Sequence, residues 1–195
     1  DRGIEGIACT VTTAKASYRL MTASPGGFMI YPMAMAAAIG EALGLTGEEI
    51  AAGVAAYVPT GSRMHIIRLP EGRLLIDDCY NANPQAMTEA LRLLAVTQTR
   101  RRAAVLGDMG ELGELTVSAH RAIGALTGEL HLDSVIAIGE KARDIASAAP
   151  NAQWFPSVED ALPAVRAAFT GGTAMLVKAS HAMHFENIVK ELEQS

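Results

Sequence analysis

Leu74-Leu75-Ile76-Asp77-Asp78-Cys79-Tyr80-Asn81-Ala82-Asn83-Pro84 decides how the chain is read. Three consecutive apolar residues suit a parallel strand buried on both faces. The polar stretch 77–83 ends that strand, and Pro84 fits the first turn of a helix, where an absent N–H is no loss. A helix is expected over 84–96. Downstream the same order recurs four times. Ala103-Ala104-Val105-Leu106 leads through Gly107 to Gly113 into a helix over 115–126. Val135-Ile136-Ala137-Ile138 leads through Gly139 into a helix reaching 148. Trp154-Phe155 is a weaker strand before Ser157, a good N-cap, and a helix to 169. Met175-Leu176-Val177 precedes a polar loop and a last helix over 185–192. Parallel neighbours need helical crossovers. Five strand–helix units in series therefore predict an open, doubly wound, mostly parallel α/β sheet over 61–195.

Upstream of Pro59-Thr60-Gly61 the character differs. Residues 4–22 alternate loosely and are rich in Ile, Val, Thr and Tyr, suggesting two short strands around Ala14-Lys15-Ala16. Pro25-Gly26-Gly27 signals a turn. A helix fits 32–43, beginning at Pro32 and stopped by Gly44; Thr46 then caps a second, running to 57 with Glu48 and Glu49 in its first turn. No buried-strand run leads into a helix here, so 1–60 reads as a partial strand and helix segment, the end of another domain.

Composition narrows the function class. The 195 residues carry 16 Lys+Arg against 21 Asp+Glu, a formal charge of −5. A mild acidic excess without basic clusters argues against nucleic-acid partners and anionic membranes. No run approaches the roughly 18 apolar residues needed to span a bilayer. Two cysteines, Cys9 and Cys79, are too few for a disulfide framework. The opening residues lack the basic-then-apolar order of a signal peptide, and a cytoplasmic chain is expected.

In doubly wound sheets ligands meet the loops at the carboxyl ends of the strands. Three such loops are chemically loaded. In the first, Asp77 and Asp78 precede Asn81 and Asn83; a carboxylate can grip a ribose diol or a metal-bound water, and an amide can both accept and donate. Asn83 before Pro84 is equally well explained as a helix cap. The second, Gly107-Asp108-Met109-Gly110-Glu111-Leu112-Gly113, spaces its glycines as G-x-x-G-x-x-G, unlike a dinucleotide fingerprint. Asp108 and Glu111 can position an amine there, or be ordinary loop acids. In the third, Lys178 ends a buried strand beside Ser180, suited to meet an anion or simply to be solvated. Of the other histidines, His65 falls on a strand face, His120 in a helix, His131 in a turn and His184 near a helix start. No zinc spacing and no G-x-x-x-x-G-K-[ST] occurs, so no metal ligand is assigned and any ATP phosphates must be held by another segment.

Residues 76–87, IDDCYNANPQAM, closely resemble the D-x-Y-N-A-N-P-x-S-M signature of the Mur ligase family, in the branch that adds D-alanyl-D-alanine to UDP-N-acetylmuramoyl-tripeptide. Val105 to Gly113 with His120 is similar to that branch's G-D-M-x-E-L-G…H. Leu176-Val177-Lys178-Ala179-Ser180-His181, with Phe185-Glu186, resembles its V-K-G-S-R…M-E. Gly61-Ser62-Arg63 matches the G-R at the domain junction, and 25–34 resembles a G-x-H-x-x-x-N-A region. The likeness runs the whole length in order.

The resemblance implies a Rossmann-like carboxyl-terminal domain over 61–195, preceded by the remnant of a central ATP-binding domain over 1–60. It implies ATP and Mg2+, the latter bound mainly by segments outside these residues. UDP-N-acetylmuramoyl-tripeptide and D-alanyl-D-alanine are the implied substrates, the remaining domains of the same enzyme are the implied partners, and a monomer is expected. Carried over by position, Arg63 reaches toward the nucleotide phosphates and Asp78 toward the ribose, with Tyr80, Asn81 and Asn83 flanking. Lys178 and Ser180 line the place where dipeptide and acyl group meet, with Asp108, Glu111 and His181 on the substrate side. Phe28 and Pro32 stand where His and Asn are usual, His181 replaces an Arg, and Ala179 a Gly. Two competing readings are a sister ligase of folylpolyglutamate or cyanophycin synthetase type, and a non-catalytic nucleotide-binding module.

Overall fold

The computed structural model describes residues 2–194; Asp1 and Ser195, the end points of the expected domain spans, lie outside the described residues. The chain forms two compact units, Asp1–Thr60 and Gly61–Ser195.

In the first unit β1 (Ile7–Thr12) and β2 (Ser17–Thr22) pair antiparallel. α1 (Ile30–Ala42) and α2 (Gly47–Ala55) follow. α1 begins two residues before the expected Pro32, because a 3-10 turn over Gly27–Met29 runs straight into it. Pro32 still sits in the first turn, where no N–H is needed. Thr46 caps α2 through a reciprocal box with Glu49. Ile7, Tyr18, Leu20, Met33, Ala37 and Ile50 build the core of this unit. α1 is apolar nearly all round: Tyr31, Met35, Ile39 and Leu43 are exposed on the face opposite Met33 and Ala37.

The second unit is a six-stranded sheet. Its strands are β3 (His65–Leu69), β4 (Arg73–Asp77), β5 (Arg101–Gly107), β6 (Ser134–Ile138), β7 (Ala152–Phe155) and β8 (Thr173–Lys178). The helices are α3 (Pro84–Val96), α4 (Thr116–Glu129), α5 (Arg143–Ala148), α6 (Val158–Ala168) and α7 (Glu186–Glu193). Spatial order is β3-β4-β8-β5-β6-β7, parallel except for the β3–β4 hairpin. This is the doubly wound, Rossmann-like α/β sheet expected from the apolar runs. The hairpin at its edge had no counterpart in the five-unit reading, beyond the placing of His65 on a strand.

Burial follows position in the sheet. All six residues of central β8 are buried, whereas edge strands β3 and β7 have none. Leu75, Val105, Ile136 and Val177 share one core with Val165 of α6, Ile188 and Leu192 of α7, and Phe185 just ahead of α7. Covering both faces is what lets a parallel strand be continuously apolar. The last strand, β8, inserts between β4 and β5, so the carboxyl ends of β4, β8 and β5 lie side by side. Among the described residues no helix is long and apolar enough to cross a membrane.

Candidate functional site

The three loaded loops leave those three neighbouring strand ends. Asp77 pairs with Val177, and Leu106 with Lys178, so residues 77–83, 107–113 and 178–181 share one edge. The Asp78 N–H continues the ladder by donating to the Val177 carbonyl at 3.0 Å.

Asp78 is the hub. Its Oδ1 accepts the Met64 N–H at 3.0 Å, and its Oδ2 lies 2.5 Å from Lys178 Nζ. A carboxylate offers about four acceptor positions. Two are used, and 11% of the side chain remains open to solvent. Burial pulls the Asp78 carboxyl above the ordinary carboxylate value, with the Lys178 ammonium and the Met64 N–H pulling the other way. Lys178 itself is 2% exposed and also donates to the carbonyls of Asn81 (2.8 Å) and Asp78 (3.4 Å). Its three protons are thereby spoken for. The anion it meets is a side chain of this protein, and the lysine ties the first loop to the third.

Asp77 is occupied locally: its Oδ1 accepts from the Cys79 thiol at 2.9 Å and the Cys79 N–H at 3.4 Å. Burial first, then that carboxylate, pushes the Cys79 thiol up to about 12. Asn83 caps α3, accepting from the Ala86 N–H, and Asn81 Oδ1 accepts from the Ala82 N–H. Tyr80 is exposed. The Arg63 guanidinium lies 4.0 Å over its ring and His181 sits 5.4 Å away, a stacked row at the mouth of the site. Tyr80 N–H also donates to the Ser62 carbonyl, fixing Gly61-Ser62-Arg63 to the first loop.

The second loop is held from three sides. Asp108 Oδ1 accepts the Ala142 N–H at 2.7 Å, and the Asp108 carbonyl accepts the Ser180 N–H. Ser180 Oγ accepts the Gly110 N–H at 2.9 Å. Gly139 permits the approach of Asp108: its φ is +110°, and a Cβ there would sit 2.6 Å from Asp108 Oδ1. Glu111, in the left-handed region, is exposed. His181 and His184 lie at the surface, and His184 meets Glu186 at 3.1 Å. Burial raises and the helix-start N–H and His184 lower the Glu186 carboxyl, with a net downward shift.

The structure thus brings together Arg63, Asp78, Tyr80, Asn81, Lys178 and His181 in one group, and Asp108 and Ser180 in an adjoining one. Phe28 and Pro32 belong to the first unit. His120, given no role by its sequence context, is fully buried beneath the second loop. Its spacing to buried Ile123, Gly124 and Thr127 along α4 is the pattern that marks an inward-facing histidine.

The family model described as Mur ligase, glutamate ligase domain, matches residues 62–181. The chain belongs to the Mur ligase family. It is 34% identical over 170 residues to the UDP-N-acetylmuramoyl-tripeptide–D-alanyl-D-alanine ligase of Bacillus subtilis, covering 83% of this chain and 37% of that protein. Among solved structures it resembles MurF of Acinetobacter baumannii with a TM-score of 0.89 and 26% identity, covering 98% of this chain and 43% of the other. The MurF ligase of Thermotoga maritima, solved with ADP, shares the fold with a TM-score of 0.78 at 20% identity, covering 97% of this chain and 46% of that one. The chain therefore spans about two fifths of the length of these Mur ligases.

Proposed function

We propose that this chain is the carboxyl-terminal part of an ATP-dependent ligase that joins D-alanyl-D-alanine to UDP-N-acetylmuramoyl-tripeptide in peptidoglycan precursor synthesis. The observation that carries the reading is the convergence of three loops on adjacent strand ends around a buried carboxylate with acceptor capacity to spare. When bound, ATP would supply a phosphoryl group to the tripeptide carboxylate, releasing ADP, and the dipeptide amine would displace phosphate from the resulting acyl phosphate to form the amide. Catalysis of this kind rests on positioning and charge stabilisation.

The residues present fit a nucleoside triphosphate. Asp78 accepts a ribose hydroxyl on its free lone pairs, and the Arg63 guanidinium, held flat on Tyr80, offers positive charge to phosphates. Tyr80 and Asn81 flank the nucleotide, while Asn83 sets the start of α3. Lys178 acts as a positioning residue that holds Asp78 and the Asn81 backbone in place. Ser180, Asp108, Glu111 and His181 face the acceptor side. The donor set does not fit magnesium: among the described residues no three His, Cys, Asp or Glu converge as a metal site would require. Magnesium and the main cradle of the phosphates fall to other segments of the enzyme, Arg63 reaching the phosphates from this side, and the 195 residues by themselves turn over no ATP. The enzyme is a cytoplasmic monomer in this reading.

The test is ligation by the full-length enzyme with ATP, UDP-N-acetylmuramoyl-tripeptide and labelled D-alanyl-D-alanine. Label entering the UDP-linked product supports the reading. Turnover with glutamate and not the dipeptide would assign the chain to a sister ligase, and tight ATP binding without any ligation would make it a binding module.

A further inference from the structure

His120 is committed at both ring nitrogens inside the fold. Nδ1 lies 2.7 Å from the Thr116 carbonyl one turn back on α4, and Nε2 accepts the Met109 N–H at 3.0 Å. A carbonyl only accepts and an amide N–H only donates, so this geometry requires a neutral ring with its proton on Nδ1. Met109 sits between two residues that both bond Ser180. The Asp108 carbonyl accepts the Ser180 N–H, and the Gly110 N–H donates to Ser180 Oγ. With that oxygen receiving a hydrogen bond, the hydroxyl proton of Ser180 is left to donate, and it has no acceptor among the described residues.

We infer that His120 is a positioning residue for Ser180: as a neutral Nδ1–H imidazole it anchors the 108–110 backbone, which in turn aims the Ser180 hydroxyl at the acceptor substrate. The inference rests on the proposed function for the identity of that acceptor, and on the hydrogen-bond network alone for the rest. Three features favour it over simple core filling. The ring is fully buried although it carries two polar nitrogens. Both nitrogens have partners at good distances. And one partner is the backbone between the two contacts to Ser180.

The test has a spectroscopic and a kinetic arm, both on the full-length protein. With 15N-labelled histidine, multiple-bond spectra should show one ring, absent from His120→Gln, protonated at Nδ1 and bare at Nε2. An Nε2–H or doubly protonated His120 would overturn the inference. In ligation assays His120→Leu should raise the KM for D-alanyl-D-alanine about 10-fold while the KM for ATP stays within about 2-fold, the scale of one lost hydrogen bond. His120→Gln, which can still donate to Thr116 and accept from Met109, should recover most of it. In a Ser180→Ala background His120→Leu should add nothing further. Equal losses in both backgrounds, or equal rises in both KM values, would show a merely structural histidine. Should the wild type ligate no dipeptide, the proposed function fails separately. The tautomer and the Gly110 amide resonance, which moves on both His120→Leu and Ser180→Ala if the network holds, then decide the inference. If the leucine variant does not fold, the wild-type tautomer, assigned by its absence from His120→Gln, and the Gly110 amide resonance in Ser180→Ala remain available.

Discussion

Lys178 Nζ lies 2.5 Å from Asp78 Oδ2 across 100 residues of sequence, at the ends of two hydrogen-bonded strands. Removing one member of such a buried pair strands the other charge, at a cost of about 3–5 kcal/mol. Lys178→Met should therefore lower the urea-unfolding stability of the second unit by about that amount. Asp78→Asn combined with Lys178→Met should cost clearly less than the two single changes added, because both charges leave together. Additive losses in chemical denaturation would mean the two side chains are not coupled.

Gly139 tests the seating of Asp108. Alanine at this position would have to adopt φ +110° and place a methyl 2.6 Å from Asp108 Oδ1. Left-handed backbone strain and the displaced carboxylate together predict a loss of about 2–4 kcal/mol for Gly139→Ala. Thermal and urea melts check this; a variant as stable as the parent would show that the loop yields freely.

Cys79 should be silent toward thiol reagents in the folded protein. Its thiol is 1% exposed, hydrogen-bonded to Asp77 and pushed up to about 12, so little thiolate exists at neutral pH. Titration with a chromogenic disulfide should modify Cys9, which is half-buried, and reach Cys79 only after denaturant is added. Rapid modification of both would contradict the burial of the first loop.

Much of this was legible in the sequence, and the reasons differ by element. Leu74-Leu75-Ile76 and Met175-Leu176-Val177 read as strands because both faces of a central parallel strand are buried, and their loops then fell where ligands are met. Thr46 and Ser157 read as caps because capping is local chemistry. The order of strands was not legible. Inserting β8 between β4 and β5 depends on contacts spanning 100 residues, which no local pattern encodes. For the same reason Lys178 looked equally suited to a ligand or to solvent: its partner is brought beside it only by that insertion. The β3–β4 hairpin was hidden because β3 is an edge strand with half-exposed residues and a short turn at Pro70–Gly72. His120 was legible as the histidine that follows the second loop's motif, but not its role, because its partners are the backbone groups of Thr116 and Met109, brought to it only by the fold.

Acid should loosen the first unit through Glu41. Hydroxyl donation from Thr13 and then Tyr18 holds its carboxyl below the usual carboxylate range. A carboxyl depressed by folding contributes stability above its unfolded pKa, and that contribution disappears as pH falls through the depressed value. The melting temperature of this unit should fall as the pH drops below the ordinary glutamate value of 4.5, and Glu41→Gln should flatten that slope. An unchanged acid slope in Glu41→Gln would place the sensitivity elsewhere.

The role given to Asp78 meets its sharpest test in the full-length enzyme's preference for ATP over 2′-deoxy-ATP and 3′-deoxy-ATP, measured as kcat/KM for ligation. A hydrogen bond from a ribose hydroxyl to a carboxylate is worth about 1.5–3 kcal/mol, so the wild type should discriminate against at least one deoxy analogue by about 10–150-fold. Asp78→Asn, with folding verified by its melt, should bring that ratio down to a few-fold. A ratio that survives the substitution intact would contradict the account, leaving Asp78 as no more than the inner partner of Lys178.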